Sequence, residues 1–127
     1  MSYEVKLDVL NSYVRVEVSG TRIPGEVADS SLTVWKEVAE TCKKHQINHV
    51  LAVFHLKGQR TITDTLKIIE GAKPWVWPEL MMAYIDSDEN NQANNAILEQ
   101  ITLSHGISFR AFSHEQQGIR WLKNFQR

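Results

Sequence analysis

Five histidines, one cysteine and one short acidic run are the side chains of this chain that could do chemistry, and their spacing limits what chemistry that is. His45 and His49 stand four apart, the interval at which two imidazoles on one helix face hold zinc. Gln46-Ile47-Asn48 reads as the turn from a helix into a strand, so the two rings are expected to point apart. His55, His105 and His114 are isolated, with no nucleophile at motif spacing. Asp86-Ser87-Asp88-Glu89 offers carboxylates to a hard cation, but it lacks the ligand spacing and glycine of an EF-hand loop. Acids ahead of a helix are favoured by its dipole in any case. Cys42 is the only cysteine, which rules out an intramolecular disulfide and a cysteine-based zinc site. Its apolar helical setting makes it a buried thiol rather than a nucleophile. Gly58 lies between a strand and a helix without the further glycines of a dinucleotide or P-loop motif. No catalytic residue, metal or cofactor is expected, and the chain reads as a non-enzyme.

The elements that would position these groups follow from hydrophobic periodicity. Val5, Leu7 and Val9 alternate with Glu4, Lys6 and Asp8, and Val14, Val16 and Val18 alternate with Arg15, Glu17 and Ser19. Alternation on both sides of Asn11-Ser12 reads as a hairpin. It pairs Val9 with Val14, Leu7 with Val16 and Val5 with Val18, which sets Asp8 opposite Arg15 and Lys6 opposite Glu17. A loop through Ile23-Pro24-Gly25 leads to a helix over 27–44, with Leu32, Trp35, Val38, Ala39 and Cys42 inward. Residues 49–56 and 80–86 are apolar at their centres and read as strands covered on both faces.

A second helix starts near Thr61, with Asp64 completing a capping arrangement, Ile62, Leu66 and Ile69 as its buried stripe and Gly71 as its stop. A third carries Ala93, Ile97 and Ile101 inward and stops at Gly106. After a strand over 107–112, Ser113 and Gln116 form a capping box on a last helix that buries Ile119, Leu122 and Phe125. The order is ββαβαβαβα: one α/β domain over 1–127, a mixed sheet with an N-terminal antiparallel hairpin and right-handed crossovers between parallel strands.

The 127 residues are 43% hydrophobic and 23% charged, with fourteen basic against fifteen acidic side chains. That balance argues against non-specific nucleic-acid binding, which needs a cationic surface. The start, Met1-Ser2-Tyr3-Glu4, lacks the basic and apolar regions of a signal peptide, and no apolar run approaches the ~20 residues that span a bilayer. A cytoplasmic location is expected.

The Val-rich hairpin ending Val18-Ser19-Gly20, the apolar strand running into His55-Leu56-Lys57-Gly58 and the closing Gly118-Ile119-Arg120-Trp121-Leu122 helix resemble the SpoIIAA-like proteins. These are bacterial domains related to the anti-sigma-factor antagonist (STAS) fold and compared with CRAL-TRIO lipid-binding domains. The resemblance covers nearly the whole chain through patterns rather than one diagnostic motif. It implies a non-catalytic regulatory or protein-interaction module that self-associates, or alternatively a carrier of a small apolar or lipid-like ligand. STAS antagonists carry a phosphorylatable serine between a buried strand and the next helix. Thr61 is the nearest positional match here, within a stretch lacking their motif, and an N-cap role accounts for it as well.

Two surfaces remain as candidates. Ligands of open α/β sheets gather beyond the carboxyl ends of the parallel strands, an edge that here collects Lys57, Arg60, Asp86, Asp88 and His114. Helix N-termini at that edge suit an anion. Trp75 and Trp77, two apart in a segment kept extended by Pro74 and Pro78, would project together and cover the domain's own core, a partner subunit or a lipid surface.

Overall fold

Nine elements alternate in the order the periodicity requires: β1 (Glu4–Val9), β2 (Val14–Thr21), α1 (Val27–His45), β3 (His49–Lys57), α2 (Ile62–Ala72), β4 (Met81–Asp86), α3 (Gln92–Ser104), β5 (Ser108–Phe112) and α4 (Glu115–Lys123). The structure, a computed structural model, describes residues 3–75, 80–88 and 91–124. The five strands lie side by side in chain order, with β1 antiparallel to β2 and every later pair parallel.

The hairpin register is the one that both of its faces demand. Val5 stands opposite Val18, Leu7 opposite Val16 and Val9 opposite Val14, while the Leu10 N–H donates to the Tyr13 carbonyl at 2.9 Å to close the turn. On the other face Asp8 stands opposite Arg15 and Lys6 opposite Glu17, and Arg15 reaches further. Its guanidinium forks onto Glu115 at 2.7 and 3.3 Å and reaches Glu17 at 3.2 Å, tying β2 to the start of α4.

Each crossover advances one strand in the same direction, so α1, α2 and α3 all fall on one face of the sheet. Val14, Val16 and Val18 of β2 pack there with Val50, Ala52 and Phe54 of β3, against Val34, Trp35, Val38 and Cys42 of α1. The alternate residues Leu51, Val53, Ala83 and Ile85 point to the other face, where α4 covers them with Leu122. Residues 50–54 are thus shielded front and back. Cys42 is fully buried, and burial pushes its thiol up to about 11, which leaves it protonated and unreactive.

Four local expectations are corrected. On α2, Ile62 and Leu66 are 54% and 43% exposed, and the inward positions are Thr65, Ile69 and Ala72. On α3, Ala93 and Ile97 face outward, whereas Asn95, Leu98 and Thr102 are buried. Both helices turn polar side chains inward, because the space beneath them holds charged groups that need hydrogen-bond partners. Gly71 lies within α2 rather than ending it: an added Cβ would sit 2.7 Å from Leu32 Cδ1, so the missing side chain lets α1 and α2 close on each other. The α4 cap falls one residue later than Ser113-Gln116 suggests. His114 is the N-cap, and its N–H donates to Gln117 Oε1 at 3.3 Å. Phe125 and Trp77 lie outside the described residues.

His49 opens β3 in a buried position, where loss of hydration holds its imidazole below the ordinary range despite a smaller upward pull from the Ser12 backbone. The unfolded chain therefore binds a proton near pH 6.5 that the folded chain resists. Stability from this residue is full above that pH and declines as the pH falls below it toward the folded value. Urea melts at pH 7.5 and 5.5 should show the decline. A His49→Gln variant should show a smaller one, and an equal decline would place the acid sensitivity elsewhere.

Candidate functional site

Between the sheet and the helix layer lies a cavity of about 60 Å³. Its floor is a row of aromatic rings stepping across the strands: Trp35 of α1 stacks on Phe54 at 5.6 Å, Phe54 meets Tyr84 at 4.9 Å, and Tyr84 meets Phe109 at 5.4 Å. The three strand residues share one face, and each such pair contributes about 0.5–1.5 kcal/mol beyond its buried area. Thr65, Ile69, Leu98 and Thr102 of α2 and α3 form the roof.

Two arginines enter this apolar space. Arg22, just past β2, is 5% exposed and Arg60, just before α2, is 6% exposed. Each nitrogen of Arg60 reaches one neutral partner. Its Nε donates to Thr65 Oγ1 at 2.9 Å, Nη1 to the Tyr84 hydroxyl at 3.3 Å and Nη2 to Asn95 Oδ1 at 3.0 Å. Asn95 passes the contact on, its Nδ2 donating to Asp86 Oδ2 at 3.2 Å, so that carboxylate stands one amide away from the guanidinium. Asp86 also accepts from Asn91 Nδ2 at 3.1 Å and from the Asp88 N–H at 3.0 Å.

Arg22 is less well served. Its Nη1 donates to the Gly58 carbonyl at 2.8 Å, but its buried Nε has no hydrogen-bond partner. Gly58 permits the approach: its φ is +92°, and a Cβ there would come within 3.2 Å of the Arg22 carbonyl oxygen. Among the described residues neither guanidinium has a carboxylate within ion-pair distance. A buried charge without a counter-ion costs several kcal/mol, and buried ions in proteins are ordinarily paired. Tyr84, wholly buried between them, has its hydroxyl raised by loss of hydration, opposed in part by the nearby Arg60 and Arg22 charges.

The edge expected to gather ligand groups is thus divided. Arg60 and Asp86 join one network through Asn95, and Asp88 joins it through its backbone, its N–H donating to Asp86 and its carbonyl accepting from the Asn91 N–H. Lys57 ends β3 with its side chain in water, and His114 caps α4 on the opposite face of the sheet. Thr61 is exposed and closes a capping box: its Oγ1 accepts from the Asp64 N–H at 3.0 Å, and Asp64 Oδ2 accepts from the Thr61 N–H at 3.1 Å. Trp75 is half-buried after α2, with its N–H donating to the Ala72 carbonyl at 2.9 Å. His45 is exposed while His49 is buried, and among the described residues no three His, Cys, Asp or Glu side chains converge.

The sequence missed Arg22, which sits in an unremarked loop, and the inward Thr65, Asn95 and Thr102. It also missed a surface relay. His55 Nε2 lies 3.1 Å from Glu17 Oε2, and its Nδ1 lies 3.1 Å from Ser87 Oγ. A carboxylate only accepts, so Nε2 carries a proton and donates to Glu17. This order of serine, histidine and acid resembles a hydrolytic triad. Acyl transfer also needs donors for the developing oxyanion, and the adjacent ones are spent. The Ser87 N–H bonds the Phe54 carbonyl at 3.3 Å and the Asp88 N–H bonds Asp86. Glu17 is further held by Arg15, which keeps its carboxyl below the usual range. Cross-strand pairing of polar surface residues accounts for the relay.

Compared with known proteins, the chain matches no family model and no curated sequence. No helix among the described residues is long and apolar enough to cross a membrane.

Proposed function

We propose that this domain is a non-catalytic binding module whose interior pocket takes a small organic anion with an apolar body. The observation that carries this reading is the pair of buried guanidiniums without a carboxylate partner, one with an unpartnered Nε, at an aromatic-walled cavity. Arginine presents a planar fork that suits a carboxylate, and charge-assisted bonds are about twice as strong as neutral ones. Apolar walls with a few convergent polar groups are the usual make-up of a small-molecule site. This favours the carrier alternative implied by the SpoIIAA-like resemblance. A regulatory use fits within it, with the anion as the signal.

Propionate is a suitable probe because of its size. A water occupies roughly 10–15 Å³ of such a cavity, so about 60 Å³ accommodates a carboxylate and the first two or three carbons. Titrating the protein with propionate should raise its melting temperature in proportion to the logarithm of concentration once the site fills. Propylammonium, of similar shape and opposite charge, should not. Equal effects of the two ions, or none from propionate, benzoate and phosphate alike, would remove the proposal.

A further inference from the structure

The two helices that roof the pocket also carry exposed apolar side chains, and their placement bears on the kind of anion the pocket takes. Helices α2 and α3 are joined at both ends by polar contacts. Asn94 Nδ2 donates to the Arg60 carbonyl at 3.3 Å where α2 begins, and His105, just past α3, lies 3.9 Å from Glu70 Oε1 near the end of α2. Ile62, Leu66 and Glu70 recur every four residues, so they lie along one stripe of α2, the stripe that Glu70 directs toward α3. On α3, Asn94, Ile97, Ile101 and His105 form the corresponding stripe, directed toward α2 by its two ends. Yet between the polar joins the apolar side chains are not closed against each other: Ile62 is 54% exposed, Leu66 43% and Ile97 38%. By contrast α2 lies close on α1, where Gly71 admits Leu32.

This apolar seam belongs to the same two helices whose inward residues, Thr65, Ile69, Leu98 and Thr102, roof the cavity. The cavity admits a head group and little more. Any longer apolar body must leave it, and the seam is bordered by exposed apolar side chains that would otherwise face water at a cost.

We infer that the ligand is a single-chain alkyl carboxylate, held by its head at Arg22 and Arg60, with its tail lying outward between α2 and α3 against Ile62, Leu66 and Ile97. The inference rests on the anion-pocket reading and adds the chain, its length dependence and its route. The head meets the guanidinium groups at the cavity wall, and each methylene that enters the seam removes apolar surface from water.

A chain-length series separates the two ideas. Propionate, butyrate, hexanoate and octanoate are titrated into the protein, with binding read by calorimetry or by amide chemical shifts. Affinity should rise by about threefold to fourfold per added methylene from butyrate onward. Leu66→Gln and Ile97→Gln change exposed helical positions and keep helix-favouring side chains. Each should weaken octanoate by about threefold to tenfold and leave propionate unchanged. A flat series with propionate bound overturns the seam while the anion pocket stands. A rising series insensitive to both substitutions puts the tail elsewhere and overturns it as well. Failure of every member, propionate included, removes the pocket and the seam together.

Discussion

Replacing Arg22 by methionine should make the ligand-free protein more stable, by about 1–3 kcal/mol, while weakening propionate binding at least about thirtyfold. The two effects have one origin. Among the described residues, the 5% exposed guanidinium has a single hydrogen bond, to the Gly58 carbonyl, and a buried Nε without a partner. Methionine fills similar length with no charge to desolvate, and the Gly58 carbonyl left behind costs about 1 kcal/mol against that gain. Arg60→Met should instead destabilise the ligand-free protein, because it strands the Asn95 and Tyr84 partners of a guanidinium bonded through all three of its nitrogens. Urea melts of both variants without ligand, alongside propionate titrations, check the contrast. Loss of 2 kcal/mol or more in Arg22→Met would show that this arginine is a structural post and would withdraw the anion site. A stabilised variant that binds propionate normally would withdraw it too.

Gly118→Val should cost about 3 kcal/mol, at the upper end of what overpacking usually costs. Gly118 lies in the second turn of α4, where the helix backbone comes down onto the sheet. A Cβ there would stand 3.0 Å from Ile85 Cδ1, 3.0 Å from Leu51 Cδ1 and 3.1 Å from Ala83 Cβ. None of these three can retreat, since all are at most 5% exposed in the sheet's second core. Valine adds two methyl groups beyond that first clash and is stiff in a helix. Alanine should cost less, because it gains helix propensity while meeting the same contacts. Thermal and urea melts of the two variants measure the difference, and an unperturbed Gly118→Val would contradict the seating of α4 on residues 51, 53, 83 and 85.

The strands were legible in the sequence because their signals were redundant. Two faces of the hairpin require one register, and the apolar centres of β3 and β4 admit only burial from both sides. The helix phases of α2 and α3 were not legible, for a physical reason tied to the site. Reading the more apolar stripe as the inner one assumes that the space beneath is apolar, and here it holds Arg60 and Asp86. The buried stripe of α3 runs Asn91, Asn95, Leu98, Thr102, which has helical spacing but mostly polar members. That polar periodicity was the available clue. Arg22 left none, since a lone arginine in a loop next to Pro24 and Gly25 reads as surface until the chain is folded around it. The contact of His55 with Glu17 and Ser87 likewise arises only from strands meeting across 38 and 32 residues of sequence.

The agreement between chain order and spatial order has a consequence for synthesis. Each parallel strand pairs with the one made just before it, so the sheet can grow outward as the chain leaves the ribosome. The second face is different, because Leu51, Val53, Ala83 and Ile85 wait for Leu122, and the fork between Arg15 and Glu115 closes over a separation of 100 residues. Until α4 has been made, that sticky patch has no cover. The nascent chain is most prone to aggregate in the interval before α4 emerges to seat on it.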